Sequence, residues 1–486
     1  MDGRSASFMW MHSSPSSDTS VHAVEWRPVS RLSAREELVS TAHESWAWLR
    51  ADGALRTTLT CAAYVLISLL IGLVQILREP QLSPYDEAVH LDYAWKASSG
   101  ELPFPGSPIS PTMLDAWSCH GQANATLPDC GSGAPSSEYP ARGENYLMHP
   151  PTFYLISGYL ARFILAVSPV DDFVTAARFT GLLWLAAGMI VLYAALRAWG
   201  VRWTIAAPIA IVPVTLHMTF QVSASLNNDA TATLAGAAAA FLAARVLRNH
   251  RFGVVLPVLL TTFLVSTKIL NAIPLLGVAV AIILASLLNR GSNRWPGLRQ
   301  TLPVSLAILA TTVAVHASWS MYRSATKVDG WVSPVSGEST LEIRGTPVGE
   351  WLETAFDGIR GLTYGHAPGN ILVSANIPWV ELLSPLLLAS VFICLVIFTT
   401  SDERWFVPAA TVIGMLGLPL AVQLQVYLIT DGTYYFPSIT SRYSLSLVAL
   451  LIVCGSLVLE ERQWVRPVWV MTTIGLVATT MAVSLG

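Results

Sequence analysis

Three titratable side chains lie close together just after the first long apolar segment of the chain. Asp86 and His90 are four positions apart and Glu87 and His90 are three apart, so a helix would place all three on one face. A carboxylate beside an accessible hydroxyl group can act as a general base, and a neighbouring polar group can orient it. The same cluster is also typical of a solvated helix cap at a membrane surface, so these residues alone leave both interpretations open.

The residues around this cluster predict a short helix that begins at Ser83. Ser83 and Pro84 are typical of an N-cap and a first helical position, and Asp86 and Glu87 would fall in the first turn, where carboxylates favour the helix dipole. Gly100 predicts the end of this helix.

The composition indicates a membrane protein. The chain has 486 residues, of which 53% are hydrophobic and 12% are charged, whereas soluble domains carry about 25% charged residues. The net charge of −3 gives no reason to expect a nucleic-acid partner. The sequence contains neither a P-loop nor a dinucleotide-binding glycine pattern, which argues against a nucleotide-linked substrate.

Apolar segments of about 20 residues predict an all-α polytopic membrane protein. We expect about eleven transmembrane helices, near residues 58–77, 177–198, 203–222, 229–247, 253–267, 271–289, 303–322, 382–400, 406–428, 442–459 and 467–484.

The distribution of arginine predicts the orientation of these segments. With eleven spans and a cytoplasmic N-terminus, the short loops that hold Arg197, Arg248, Arg294 and Arg404 all face the cytoplasm, as is typical of a plasma (inner) membrane protein. A further apolar segment, 151–168, would reverse this orientation if it crossed the membrane. We therefore expect it to be a juxtamembrane or re-entrant helix on the outer side.

This topology divides the rest of the chain. Residues 1–57 form a cytoplasmic tail, in which residues 32–50 could be an amphipathic helix on the membrane surface. Residues 58–486 form the membrane domain, with large outer segments at 78–176 and 323–381. The first outer segment contains Cys119 and Cys130, and we expect a disulfide bond between them because an extracytoplasmic location permits one, although two free thiols are the alternative.

Under this topology, polar residues from distant segments collect at the outer membrane face. The cluster of Asp86, Glu87 and His90 is joined there by five residues: His149, Asp229, Lys268, Arg442 and Tyr443. Each has an ordinary explanation as a cap or as a side chain that reaches the surface, but charged groups at membrane depth are costly and usually mark a site. A carboxylate base with cations for a phosphate suits the transfer of a group from a lipid-linked phosphate.

The order of these motifs resembles the GT-C superfamily of glycosyltransferases that use polyprenyl-phosphate sugars. More closely, the segments Asp86-Glu87-x-x-His90, His149-Pro150-Pro151, Asn228-Asp229 and Ser441-Arg442-Tyr443 resemble those of a family of bacterial membrane proteins assigned to that fold. That family usually has Gly-Arg-Tyr at the last motif, where this chain has serine. The resemblance covers roughly residues 58–460.

The resemblance implies an inverting transfer on the outer face, from a polyprenyl-phosphate-linked sugar to a glycan, lipid or protein acceptor of the cell envelope. It implies that Asp86 is the general base, that Glu87 and His90 orient the base or the acceptor, and that Lys268 and Arg442 bind the donor phosphate. His149 is a weaker third phosphate ligand. No cofactor is certain, but a divalent metal is possible, with Asp86, Glu87, His90 and Asp229 as potential ligands.

A transporter or flippase for a lipid-linked or polar substrate is the main alternative, since intramembrane charges and broken helices occur there too. A membrane scaffold whose outer loops bind a partner is a second. The transferase hypothesis requires Asp86, Lys268 and Arg442 to converge at one outward-facing site, whereas the scaffold hypothesis gives these three residues no purpose.

Overall fold

The computed structural model describes residues 53–123, 125–146, 149–289, 295–332, 340–343, 378–400, 402–429, 432–437 and 439–485. Residues 1–52 of the predicted tail, which include the predicted amphipathic helix, lie outside the described residues. Most of the predicted outer segment 323–381 also lies outside them.

The described chain is mostly helical, which confirms the predicted all-α class. The first half contains α1 (Ala54–Arg78), α2 (Glu87–Ala97), α3 (Pro111–His120), α4 (Thr152–Val167), α5 (Phe173–Ala198), α6 (Trp203–Ile209), α7 (Val212–Thr215), α8 (His217–Ala224) and α9 (Ala232–Leu247). The second half contains α10 (Val255–Thr267), α11 (Ala272–Leu288), α12 (Leu298–Thr326), α13 (Pro378–Ile397), α14 (Phe406–Ile429), α15 (Val448–Glu461) and α16 (Val465–Leu485).

Short elements complete the fold of the described residues. Two strands, β1 (Leu341–Glu342) and β2 (Tyr434–Tyr435), pair antiparallel. Six 3₁₀ helices occur at Ser136–Glu138, Pro140–Gly143, Asn228–Thr231, Ile269–Asn271, Glu403–Trp405 and Ser441–Leu447. Three of these, at Asn228, Ile269 and Ser441, directly precede long helices and carry or adjoin predicted site residues.

Seven helical segments among the described residues are long and apolar enough to cross a membrane, and one bent pair could add an eighth. The bent pair joins Trp203–Thr215 to His217–Ala224 at an angle of 69°. The other three predicted spans correspond to shorter apolar helices at Val255–Thr267, Pro385–Ile397 and Val465–Met481. The structure thus supports a multi-pass membrane protein and places a helix at each predicted span, while the count of eleven stays a prediction.

The centre of the bundle is α5, which packs against α1, α4, α8 and α9. Two glycines allow close contacts between helices at one end of the bundle. A Cβ atom at Gly181 of α5 would lie 2.3 Å from the carbonyl oxygen of Ser223, and one at Gly158 of α4 would lie 2.3 Å from that of Ala94 in α2. These close approaches fix α2 and the turn after α8 at the same end of the bundle.

The loop between α1 and α4 is an ordered unit. Cys119 and Cys130 form a disulfide bond, as predicted, and close a loop with a sequence separation of 11. Inside the loop, Asp92 accepts a hydrogen bond from the backbone N–H of Ser110 at 2.8 Å and forms a buried ion pair with Lys96. These contacts anchor α2 to the segment that leads into α3.

Candidate functional site

Asp86 lies directly before α2, and its backbone is in the left-handed region with φ 64° and ψ 16°. The helix therefore begins at Glu87, with Asp86 as its N-cap residue, and the prediction of an N-cap at Ser83 was wrong. The Ser83 hydroxyl instead accepts a hydrogen bond from the backbone N–H of Tyr85, which forms a local turn. Aspartate adopts this conformation more readily than most residues other than glycine.

A buried ion pair holds this turn in place. Glu87 has no exposed surface, and its Oε1 accepts a hydrogen bond from Arg178 Nε at 2.8 Å while its Oε2 accepts one from Arg178 Nη2 at 2.9 Å. Glu87 also accepts a hydrogen bond from the backbone N–H of Ser83 at 2.6 Å. The guanidinium of Arg178 is further bound to the backbone carbonyls of Glu79 and Gln81, at the end of α1. Glu87 is thus a structural node beneath Asp86.

The same node positions the turn before α9. Glu87 Oε1 accepts a hydrogen bond from the backbone N–H of Leu226 at 3.0 Å. The next residue, Asn227, donates from Nδ2 to the carbonyl of Tyr85 at 3.0 Å and accepts from the backbone N–H of Asp229 at 2.9 Å. The turn that carries Asp86 and the turn that carries Asp229 are therefore bound to each other through the backbone.

Arg442 meets Asp86 at the centre of the site. Its Nη2 donates a hydrogen bond to Asp86 Oδ2 at 2.9 Å, and Tyr146 donates one to Asp86 Oδ1 at 2.9 Å. The guanidinium lies 5.6 Å from the ring centroid of Tyr85 and 5.3 Å from that of Tyr443, within the range of a cation–π contact. The side chains of Asp86 and Arg442 are 25% and 16% exposed, so a ligand can reach both.

A second ion pair lies deeper in the protein. Lys268 donates a hydrogen bond to Asp229, and both side chains are 3% exposed. The ammonium of Lys268 lies 5.4 Å from the ring centroid of Tyr443, the ring that Arg442 also contacts. Tyr443 thus lies between the two cations, and the site residues predicted from four distant segments come together.

Two histidines form the wall of the site beside α4. The rings of His90 and His149 are stacked with centroids 6.2 Å apart, and His90 Nδ1 shares a hydrogen bond with the Tyr154 hydroxyl at 2.8 Å. Burial lowers the pKa of both histidines well below its usual value, and the nearby Arg442 and Lys268 lower it further. This shift favours the neutral imidazole, in which one ring nitrogen donates a hydrogen bond and the other accepts one.

The potential metal ligands are engaged with other partners. Glu87 is bound by Arg178, Asp229 by Lys268 and Asp86 by Arg442. Within the described part of the chain, the one group of three ligand-type side chains close enough to share an ion is Asp115 with Cys119 and Cys130, and the sulfur atoms of that group form the disulfide. The predicted ligand set therefore does not fit a divalent metal in this arrangement.

Four contributors to the site were not predicted from the sequence: Arg178, Tyr146, Tyr85 and Tyr154. Arg178 could have been identified from the sequence, because it is the sole charged residue between Phe173 and Leu196 of an apolar segment. Charges in such segments usually have a defined partner. The three tyrosines lie near the predicted motifs, but their contacts depend on tertiary structure that no local spacing reveals.

No family model matches this chain, and no curated protein matches its sequence. The similarity to the GT-C superfamily therefore rests on the short motifs alone. Any assignment of function depends on the geometry of Asp86, Arg442, Lys268 and their neighbours.

Proposed function

We propose that the chain is an inverting membrane glycosyltransferase that moves a sugar from a polyprenyl-phosphate donor to a glycan, lipid or protein acceptor of the cell envelope. The observation that carries the proposal is the contact between Asp86 and Arg442, with Lys268 on the other side of Tyr443. A partly exposed carboxylate and two cations at one site supply the base and the phosphate ligands that this reaction needs.

In the proposed reaction, Asp86 takes the proton of the acceptor hydroxyl as its oxygen attacks the anomeric carbon. The bond between that carbon and the phosphate oxygen breaks, and its electron pair leaves with the polyprenyl phosphate. Attack opposite the leaving group inverts the anomeric configuration. Arg442 and Lys268 stabilise the negative charge that develops on the phosphate.

The ion pairs of the site suggest how the donor engages. Arg442 is paired with Asp86 and Lys268 with Asp229, so the four charges balance. A donor phosphate competes with Asp86 for Arg442, and this exchange frees the carboxylate to accept the proton. Arg442 is the more exposed cation and therefore the first phosphate ligand, while Lys268 contributes from within the protein.

The proposal places the site on the outer face of the plasma membrane, with the N-terminus in the cytoplasm. The ends of α1 and α10 and the starts of α9 and α15 meet at this site, as alternating spans require. The short inner loops rich in arginine support the orientation.

The test is release of free polyprenyl phosphate from a panel of polyprenyl-phosphate sugars by the purified protein, with crude envelope acceptors. We expect Asp86→Asn to lower the rate by about 10²-fold or more, because general base catalysis supplies about 10²–10⁴-fold. Asp171→Asn, which changes an exposed acid just before α5, is the matched control. Equal rates for wild type and Asp86→Asn would remove Asp86 from the chemistry.

A transporter or flippase is favoured by one observation, the 69° bend between Trp203–Thr215 and His217–Ala224. Broken helices line substrate paths in transporters. The discriminating measurement uses proteoliposomes with a lipid-linked sugar in one leaflet. Appearance of the intact lipid-linked sugar in the other leaflet, without release of polyprenyl phosphate, would support the transporter and contradict the transferase.

A further inference from the structure

An apolar cavity of about 360 Å³ lies between α7, α13, α15 and α16, apart from the polar site at Asp86 and Arg442. Its lining includes Leu387, Ile452 and Met471, together with the small residues Ser390 and Gly455. Because these two residues are small, their side chains leave the space between the neighbouring helices unfilled. The cavity is much larger than the apolar cavities of about 150 Å³ that are known to stay dry and bind apolar molecules.

The cavity opens toward the lipid. Three of its lining residues are substantially exposed on the bundle surface, namely Leu386 at 49%, Ile393 at 44% and Trp464 at 53%. In a membrane, Leu386 and Ile393 face hydrocarbon and Trp464 lies at the level of the headgroups, so the cavity is continuous with the bilayer. An unfilled cavity of this size would forfeit the dispersion contacts of its lining, and a hydrocarbon chain restores them.

Two exposed arginines lie close in sequence to Leu459, Trp464 and Pro467, which line one end of the cavity. The acids there are already paired, Glu460 with Arg202 and Glu461 with Arg404. Arg462 and Arg466 are exposed, and neither has an ion-pair partner among the described residues. They lie on either side of Trp464, a residue type that marks the level of lipid headgroups. Basic side chains at the mouth of a cavity between spans are typical of an anionic headgroup site.

We propose that this cavity holds one acyl chain of an anionic glycerophospholipid, with its phosphate bound by Arg462 and Arg466. The apolar lining takes the chain, and the charge at the mouth selects an anionic headgroup over a zwitterionic one. This proposal does not depend on the proposed transferase activity, because it concerns a different set of helix faces.

The experiment uses the delipidated full-length protein in detergent, to which phosphatidylglycerol or phosphatidylcholine with identical acyl chains is added. We expect phosphatidylglycerol to raise the midpoint of thermal unfolding by about 2 °C or more above the effect of phosphatidylcholine. Native mass spectrometry should show one retained phosphatidylglycerol molecule. Soluble glycerol phosphate should give no shift, and a shift from it alone would overturn the acyl-chain site.

Two kinds of variant test the acyl-chain site and the headgroup site separately. A Cβ atom at Gly455 meets nothing nearer than Ser390 at 3.7 Å, so Gly455→Leu introduces its side chain into the cavity and should abolish lipid retention. Gly417→Leu, at a glycine of α14 with open space around it, is its control. Met471→Trp is a second cavity-filling variant, should Gly455→Leu fail to fold.

The double variant Arg462→Gln/Arg466→Gln should bind both lipids equally, whereas Arg299→Gln, at an exposed arginine of α12, should keep the preference. Retention of phosphatidylglycerol by both cavity-filling variants would overturn the acyl-chain site. An unchanged preference in the double arginine variant would overturn the headgroup assignment.

Discussion

Arg442 donates a hydrogen bond to Asp86 across a separation of 356 residues, and this contact joins the segment before α15 to the loop between α1 and α4. Both partners are partly exposed, so the pair is accessible to a ligand while it fixes the relative position of the two segments. A surface ion pair would contribute little to stability. In the proposed function, Arg442 of this pair binds the charged phosphate of the donor.

Replacing Arg442 should impair use of the donor more than it impairs folding. We expect Arg442→Gln to lower kcat/KM for the lipid-linked donor by about 10²-fold, the effect typical of losing one donor to a developing negative charge. Arg442→Lys should be intermediate, because lysine keeps the charge but lacks the planar group that lies near Tyr85 and Tyr443. Steady-state release of polyprenyl phosphate measures both.

The control for Arg442 is Arg162→Gln. Arg162 lies on α4 and contacts the ring of Trp95 at 4.6 Å, so it is another arginine of the outer region with an aromatic partner. Its replacement should leave kcat/KM within a few-fold of wild type. Equal losses in the two variants would mean that Arg442 acts through general stability and not through the donor.

The buried pair of Glu87 and Arg178 should stabilise the fold far more than an exposed pair does. Removing one partner of a buried ion pair costs about 3–5 kcal/mol, because the other charge is left without compensation. We therefore expect Glu87→Gln and Arg178→Gln each to destabilise the protein strongly. The double variant should lose much less stability than the two single variants lose together. Denaturant unfolding in mixed micelles would measure the free energy of unfolding of each variant.

Arg202→Gln is the matched comparison for this pair. Arg202 is 45% exposed and pairs with Glu460, so its loss should cost about 1 kcal/mol or less. Additive effects in the Glu87 and Arg178 cycle would show that the two side chains do not act as one unit, and the node beneath Asp86 would then need another explanation.

The sequence was most informative where a single physical rule applied over many residues. Apolar length alone predicted a helix at every span, because a bilayer demands about 20 apolar residues. The site residues Asp86, Lys268 and Arg442 were identifiable because charges at membrane depth are costly. The alternation of spans then predicted that their ends would lie on one side.

What the sequence could not provide was the pairing of these charges. Ser83 and Pro84 match the usual start of a helix, yet the chain continues through a turn to a left-handed Asp86, because Glu87 is held by Arg178. Glu87 was predicted to share the reactive face with Asp86, but helix spacing carries no information about a partner 91 residues away. Tertiary contacts overrode the local preference.

His90 and His149 should make stability depend on pH. In the unfolded chain, histidine has a pKa of about 6.5, whereas burial lowers the pKa of His90 and His149 in the folded protein. Below pH 6.5 the unfolded state therefore binds more protons, so the free energy of unfolding falls as the pH falls. The slope should approach about 1.4 kcal/mol per pH unit for each histidine.

Thermal unfolding between pH 5 and pH 8 would measure this effect. The double variant His90→Gln/His149→Asn should flatten the dependence below pH 6.5, whereas His250→Asn, at an exposed histidine, should not change it. An unchanged slope in the double variant would show that other groups titrate, and that the neutral histidine wall is not the source of the acid sensitivity.

The disulfide between Cys119 and Cys130 allows a direct test of the proposed orientation. If the loop after α1 is extracytoplasmic, a membrane-impermeant reductant applied to intact cells should free both thiols for an impermeant maleimide. Cys61 lies within α1, between the tail and this loop, and should stay unlabelled in intact cells. Mass spectrometry would measure the maleimide labelling of Cys119 and Cys130 before and after reduction. The variant Cys119→Ser/Cys130→Ser is the control and should show no labelling of this loop.

Labelling of the two cysteines only after the cells are lysed would place the loop in the cytoplasm. The site at Asp86 would then face the cytoplasm as well, and the proposed orientation of the whole chain would be reversed.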